Sequence, residues 1–227
     1  MLAESRELAV AADSKPPGYG YELSLRLARE QLATIDIAQQ CHNSGAVFHP
    51  SRQAVELVYL NQPYLITVPG GEISTADSRE EVQIRDKILI LHYFITAQDV
   101  PISHNLISYK ELSEGAGYYP TFSQRAIKPF VKAFGGEPQR LTPVAEKLGG
   151  RRADFGDVSA TINAFPRVPV TFVLWRGDAE FPPEGNILLD RTISHFLPPE
   201  DIIVVCETVS RKLVKLLKEA EASARRG

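Results

Sequence analysis

The stretch DVSATINAFPRVPVTFVLW, residues 157–175, contains two β-rich runs separated by one short break. Valine, isoleucine, threonine and phenylalanine dominate both runs, and Pro166-Arg167 interrupts them where a turn is expected. The second run, Val168 to Trp175, is almost continuously apolar, which is typical of a strand covered on both faces. We therefore predict two joined strands, of which the second is central or covered on both sides.

Short β-rich runs also occur upstream, at residues 46–49, 54–60 and 64–68. Turn residues separate these runs, and Pro69-Gly70-Gly71 follows the last of them, which predicts an antiparallel meander that stops there. Val55, Leu57 and Tyr59 alternate with more polar residues, so we expect one face of this meander to be buried.

Periodic apolar residues predict helices in the rest of the chain, at about 21–35, 36–42, 78–97, 121–134 and 143–148, and after Pro198-Pro199. Asp36 is expected to cap the second helix, and Glu81 and Arg85 have the spacing of an exposed ion pair on the third. Gly115 and Gly117 predict a turn before the fourth helix.

These elements predict an α+β fold in which antiparallel strand meanders pack with about five to six helices, the last of them long. The breaker cluster Pro16-Pro17-Gly18 precedes the first helix. We expect it to separate a mobile N-terminal tip, residues 1–19, from a single domain over residues 20–227.

Composition and charge exclude several classes of function. The net charge of −3 and the isoelectric point near 6.0 offer no attraction for a phosphate backbone, so we predict no nucleic-acid partner. The absence of a long apolar stretch or secretory signal predicts a cytoplasmic protein without a membrane partner. Cys41 and Cys206 are far apart and are predicted to be buried thiols. The common nucleotide, zinc-protease and esterase motifs are missing.

The segment WRGDAEFPPEGNILLDR, residues 175–191, follows the apolar run and concentrates four carboxylates. Such a cluster can bind Mg²⁺ or Ca²⁺, or keep one carboxyl protonated near neutral pH. Helix starts are the alternative, because Pro-Pro-Glu occurs at 182–184 and again at 198–200. Helix starts do not explain Asp178, Glu180 and Asp190, which are the predicted metal ligands.

Other polar residues add candidates. His195 lies between the acidic segment and the last helix, where an imidazole can act as a ligand, a proton carrier or a cap, whereas His92 is interpreted as a core histidine. Tyr109 and Arg125 form either a ligand-binding rim, with Arg125 holding a carboxylate or phosphate, or a solvated loop. The predicted ligand-binding residues are Trp175, Arg176, Asp178, Glu180, Asp190, His195, Arg125 and Tyr109.

Residues 165–170, FPRVPV, and residues 174–201 resemble an uncharacterised prokaryotic family found largely in anaerobes, with a shared W-R-G-D-x-E-F-P-P-E segment. The resemblance extends back through 107–112 and 88–93. Some relatives also carry a four-cysteine iron–sulfur module of the kind associated with corrinoid proteins, which implies anaerobic one-carbon or redox metabolism. This chain lacks those cysteines.

Three functions are consistent with these observations. The first is a cytoplasmic ligand-binding or accessory protein, linked to anaerobic corrinoid or redox metabolism, whose pocket lies at the end of a sheet. The second is a metal-assisted hydrolase or transferase that uses the carboxylates as ligands and His195 as proton carrier. The third is an interaction module that docks on a larger metabolic complex. The sequence leaves the ligand, any cofactor and the choice among the three open.

Overall fold

Two antiparallel sheets and six helices make up the described part of the chain, which comprises residues 19–76 and 80–224 of a computed structural model. The predicted α+β class is therefore confirmed, as is the long C-terminal helix. Residues 1–18 of the predicted N-terminal tip lie outside the described residues.

Two helices precede the first sheet. Helix α1 spans Tyr19–Leu32, so it begins two residues before the predicted start and ends three residues before the predicted end. Helix α2 spans Ile37–Ser44, and Asp36 caps it as predicted by accepting a hydrogen bond from the Gln39 N–H at 3.0 Å. Gly45 ends the helix in the left-handed conformation, which glycine adopts without steric penalty.

The first sheet is the predicted meander with one strand added. Its strands are β1 (Val47–His49), β2 (Ala54–Tyr59), β3 (Gln62–Thr67) and β4 (Ile73–Thr75), in that spatial order. Val55, Leu57 and Tyr59 are all buried, which confirms the predicted alternation. The sequence Pro69-Gly70-Gly71 reverses the chain instead of ending the sheet, because the backbone of Thr67 pairs across the turn with Glu72.

Helix α3 spans Ile84–Thr96 and begins later than predicted. Glu81 precedes the helix, so the predicted pair between Glu81 and Arg85 is wrong. The Arg85 guanidinium instead lies 3.1 Å from the Glu207 carboxylate on the last helix, because tertiary packing brings that carboxylate closer.

The second sheet contains β5 (Leu106–Ser108), β6 (Arg151–Ala153), β7 (Val158–Phe165), β8 (Val168–Trp175) and β9 (Glu184–Asp190). The order β5-β9-β8-β7-β6 makes β8 the central strand, as its apolar sequence predicts. The predicted helix start at Phe181 to Glu184 is wrong, because Glu184 pairs with Trp175 and begins a strand. Ile187 and Leu189 are completely buried in that strand, and the burial of these alternate residues outweighs the helical signal of Pro-Pro-Glu.

Helix α4 comprises Gly115–Phe122, a π-helical turn at Ser123–Ile127 and Lys128–Phe134. The predicted turn at Gly115 and Gly117 is therefore wrong, since both glycines lie within the helix. A Cβ atom at Gly115 would lie 1.9 Å from the Tyr109 carbonyl oxygen, so this glycine permits close backbone approach.

Two further helices complete the fold. Helix α5 spans Leu141–Glu146 and lies two residues ahead of the predicted segment. Helix α6 spans Pro199–Ala224, so the second Pro-Pro-Glu sequence does begin a helix as predicted. Cys206 on this helix is buried, as is Cys41 on α2. None of the described helices is long and apolar enough to cross a membrane.

An aromatic stack joins the two sheets. The Tyr93 ring of α3 lies 4.1 Å from the Phe165 ring of β7, with an angle of 5° between the planes. On its other side Phe165 stacks on Tyr59 of β2 at 4.7 Å. One cluster of buried residues therefore includes side chains from both sheets and from α3.

Candidate functional site

A polar cleft lies between α3 and the N-terminal half of α6. Arg85 and His92 are seven residues apart on α3, which is close to two helical turns, so both side chains project from one face. They contact Glu207 and Asp201 respectively, and this order of contacts means that α3 and α6 run in opposite directions. The cleft is thus formed by two acid–base pairs on antiparallel helices.

His92 and Asp201 form the closer pair. The His92 Nδ1 atom lies 2.6 Å from the Asp201 Oδ2 atom, and their side chains are 30% and 11% exposed. When the imidazole is neutral, a proton held on Nδ1 towards the carboxylate leaves the lone pair on Nε2. Nε2 has no hydrogen-bond partner among the described residues. Both side chains line a cavity of about 220 Å³.

Glu207 is bridged by two arginines. Its Oε2 atom lies 3.1 Å from Arg85 Nη2, and 2.8 and 2.5 Å from Arg125 Nε and Nη2. Burial by itself raises the pKa of Glu207, but the hydrogen bonds and charges of Arg125 and Arg85 outweigh it and lower the pKa. The carboxylate is therefore ionised at neutral pH.

The π-helical turn of α4 carries Arg125. Pro129 follows this turn and has no N–H, so the Arg125 carbonyl lacks the donor that a regular α-helix would supply. Single π turns within α-helices are frequent at functional sites because the extra residue redirects the side chains of the turn. Here the turn holds Arg125 against Glu207.

A second cavity, of about 490 Å³, shares part of its lining with the first. Arg125 and Glu200 line both cavities, and the walls of the second are largely apolar. Its lining includes Tyr109, which is only 1% exposed and whose ring stacks on Phe122 at 4.1 Å. The Tyr109 hydroxyl has no hydrogen bond to any described residue. Burial, and to a smaller extent Cys206 and Tyr118, raise the pKa of Tyr109, so the hydroxyl remains a donor.

The predicted pocket residues Trp175 and Arg176 lie outside the cleft between α3 and α6, at the C-terminal end of strand β8. Trp175 ends β8 and is 42% exposed. The next residue, Arg176, donates its backbone N–H to Asp157 at 2.7 Å and lines a cavity of about 530 Å³ together with Arg152 and Phe155. The Arg176 guanidinium has no ion pair within the described ranges.

The three predicted metal ligands are not brought together. Asp178 Oδ1 accepts the backbone N–H groups of Glu180 and Phe181, both at 2.8 Å, and these bonds lower its pKa. Asp190 lies at the far end of β9, roughly 20 Å along the strand from Glu184. Coordination needs oxygens within about 2.6 Å of one ion, so this separation excludes a shared metal ion. Residues 19–76 and 80–224 contain no group of three metal-ligating side chains.

The other three predicted residues, His195, Tyr109 and Arg125, lie in two different places. His195 lies in a 3₁₀ turn, Ile193–His195, where its Nδ1 atom is 2.8 Å from Gln98 Oε1. Tyr109 and Arg125 lie together in the cleft beside α6. Of the eight predicted ligand-binding residues, the structure therefore brings only these two to the site where the acid–base pairs lie.

Sequence reasoning missed four residues of the cleft. The sequence pattern indicates a core residue at His92 and one half of a local pair at Arg85, and it indicates no site role for Asp201 or Glu207. The seven-residue spacing of Arg85 and His92 on an otherwise apolar helix was the available signal, because it places two polar groups on one face.

Comparison with known proteins shows one match. A family model described as "Domain of unknown function (DUF3786)" matches residues 36–212, which include both acid–base pairs, Arg125 and Tyr109. No curated protein and no solved structure matches the chain. The match covers most of the chain and agrees with the resemblance of its sequence to an uncharacterised family. The chain belongs to the DUF3786 family.

Proposed function

We propose that this protein binds a small polar molecule in the cleft between α3 and α6, and that the His92–Asp201 pair transfers a proton to or from it. The single observation that carries the proposal is the 2.6 Å contact between His92 Nδ1 and Asp201 Oδ2, with Nε2 left unpaired beside a cavity. The same two-residue arrangement orients the general base in many enzymes.

The surroundings of the pair support a binding site. Arg85 and Arg125 line the same cavity as His92, together with the carboxylates of Asp201 and Glu200. Guanidinium groups retain several N–H donors when one is engaged, so both arginines can hold a polar ligand as well as Glu207. A ligand bound there would lie beside the free nitrogen of His92.

The proposal is tested by NMR on protein with ¹⁵N-labelled histidine. We expect neutral His92 to carry its proton on Nδ1, and to change to the Nε2 tautomer in Asp201→Ala, which removes the acceptor. We also expect acetate or inorganic phosphate to shift the His92 signals in the wild-type protein.

His49 provides the matched control for this experiment. It also contacts a carboxylate, with Nε2 at 3.1 Å from Glu56, but it lines none of the cavities described above. Its signals should not respond to acetate or phosphate. If the His92 signals respond no more than those of His49, and Asp201→Ala leaves the His92 tautomer unchanged, the proposal is wrong.

The Trp175 and Arg176 surface is a second candidate binding site. The free Arg176 guanidinium beside a cavity supports it, together with the exposed rings of Phe155 and Trp175 at the same end of the sheet. In a phosphate titration of uniformly ¹⁵N-labelled protein, phosphate would then shift the backbone signals of Arg152 to Asp157, and Arg176→Met would abolish that shift. Signals confined to the α3–α6 cleft would exclude it.

The link to anaerobic corrinoid or redox metabolism rests on sequence resemblance alone. A corrinoid or iron–sulfur group absorbs visible light, so the absorption spectrum of protein purified anaerobically from its native host tests this part of the proposal. We expect a bound corrinoid to give visible bands that denaturation releases. A colourless sample would contradict the proposed link to corrinoid or redox metabolism.

A further inference from the structure

We infer that the ligand is a small zwitterion with an apolar side chain, such as an apolar α-amino acid. In this arrangement Arg125 and Tyr109 hold its carboxylate, Glu200 holds its ammonium group, and the second cavity takes the side chain. The inference rests on the proposed function, because it names the ligand class of the same cleft.

The Tyr109 hydroxyl is the first observation. A tyrosine whose ring is buried usually places its hydroxyl where it can reach a hydrogen-bond partner. Tyr109 is 1% exposed, lines the second cavity and has no hydrogen bond to the described chain. The hydroxyl does not belong to the fully buried groups that lack a partner among the described residues, so it is accessible from the cavity and can donate a hydrogen bond to a molecule there.

The charged residues shared by the two cavities are the second observation. Arg125 and Glu200 are the charged residues that line both. Arg125 faces Glu207 through Nε and Nη2, which leaves its Nη1 donors for a carboxylate. The exposed Glu200 carboxylate has no ion pair within residues 19–76 and 80–224. Groups of opposite charge that line the same two cavities match a molecule that carries both charges.

The apolar walls are the third observation. Pro198, Pro199, Ile203 and Tyr118 contribute most of the apolar lining of the second cavity, and Glu114 and Thr121 add polar groups to it. At about 490 Å³ the cavity has the size of a small-ligand site and is much larger than an ammonium or carboxylate group needs. An apolar side chain would therefore bury surface there, whereas a purely polar ligand would not.

Three matched probes test the inference by calorimetric titration. L-phenylalanine carries both charges, 3-phenylpropanoate lacks the ammonium group and 2-phenylethylamine lacks the carboxylate. We expect phenylalanine to bind at least about tenfold more tightly than either, since one charge-assisted interaction contributes a factor of about ten or more. Glu200→Gln should abolish the advantage of phenylalanine over 3-phenylpropanoate, because a neutral amide no longer pairs with the ammonium group.

Two further variants test the carboxylate end. Tyr109→Phe should weaken phenylalanine about three- to tenfold by removing one hydrogen bond, and Arg125→Met by about tenfold or more. Tyr119→Phe and Arg211→Met are the controls, because Tyr119 lines none of the cavities described above and Arg211 contacts Glu207 without lining the cleft. If Arg125→Met does not fold, Arg125→Lys keeps the charge and should show a smaller loss.

The outcomes separate this inference from the proposed function. If acetate or phosphate shifts the His92 signals but phenylalanine binds no better than its two analogues, the zwitterion is wrong and the binding site remains. The zwitterion is also wrong, and the binding site remains, if Tyr109→Phe and Arg125→Met both bind phenylalanine as tightly as the wild type does. If neither the simple anions nor the three probes shift the His92 signals, both proposals fail.

Discussion

The Oδ1 atom of Asp190 accepts two hydrogen bonds from Ser103, one from the backbone N–H at 3.1 Å and one from the hydroxyl at 2.8 Å. Thr192 donates another pair, at 3.0 and 2.6 Å. Burial alone raises the pKa of Asp190, but these four bonds outweigh it and lower the pKa. Asp190 therefore anchors the loop before β5 to the end of β9, instead of serving the predicted acidic site.

We expect Asp190→Asn to lower the free energy of unfolding by about 2 kcal/mol at pH 7, because bonds to a charged acceptor become bonds to a neutral one. A lowered folded-state pKa means that this contribution is complete above the unfolded value of about 3.9 and is lost as the pH falls below it. Urea denaturation on both sides of that pH measures the difference between variant and wild type.

Asp154→Asn is the control for Asp190, since the Asp154 side chain is 96% exposed and its contact to Arg152 is long, at 3.9 Å. Its stability should match that of the wild type at both pH values. An Asp190→Asn deficit of equal size above and below the unfolded pKa would contradict the role assigned to the charge.

Gly115 and Gly117 allow a matched test of the start of α4. A Cβ atom at Gly115 would lie 1.9 Å from the Tyr109 carbonyl oxygen, whereas one at Gly117 would meet nothing within 4 Å. We expect Gly115→Ala to destabilise the protein by about 2 kcal/mol and Gly117→Ala to stabilise it by about 0.5–1 kcal/mol. Thermal denaturation of both variants measures the two changes in stability. If Gly115→Ala is more stable than Gly117→Ala, the close approach at Gly115 is contradicted.

The stack of Tyr59, Phe165 and Tyr93 leads us to propose that both sheets unfold as one unit. We expect Phe165→Ala to lower the free energy of unfolding by about 3–5 kcal/mol. The single tryptophan, Trp175, reports on the second sheet by fluorescence, while far-ultraviolet circular dichroism reports on the whole chain. The two transitions should coincide.

Phe181→Ala is the matched control for this stack, because Phe181 is 65% exposed and its truncation should change stability little. If tryptophan fluorescence and circular dichroism give separate midpoints in the wild-type protein, the two sheets belong to independent units. The single domain predicted over residues 20–227 would then be wrong.

Glu207→Gln should have opposite effects on stability and binding. The variant loses the charge that balances Arg85 and Arg125, so we expect a loss of about 2 kcal/mol in the free energy of unfolding. The unbalanced guanidinium groups should then bind 3-phenylpropanoate several-fold more tightly than the wild type does, as measured by calorimetry.

Glu219→Gln is the control on the same helix. Glu219 makes only an exposed contact to Lys215, at 3.8 Å, so neither stability nor binding should change measurably. Weaker binding of 3-phenylpropanoate to Glu207→Gln would contradict the view that Glu207 competes with the ligand for Arg125.

Local signals account for the parts of the fold that could be predicted. The cap at Asp36, the turn at Pro166-Arg167 and the start of α6 after Pro198 each depend on residues only a few positions apart. The same kind of signal failed at Glu184, because pairing with β8 outweighs the preference of Pro-Pro-Glu for a helix start. It failed at Gly115 as well, where contact with the Tyr109 backbone decides the conformation.

The sequence by itself determined the α+β class, the central position of β8 and the candidacy of Tyr109 and Arg125, because propensity and periodicity act within one element. Only the tertiary structure decided that His92 meets Asp201 and that Arg125 meets Glu207. These partners are 109 and 82 residues apart, and their contact depends on how α3, α4 and α6 pack. A polar residue on an apolar helix has the same sequence pattern whether its partner is present or not.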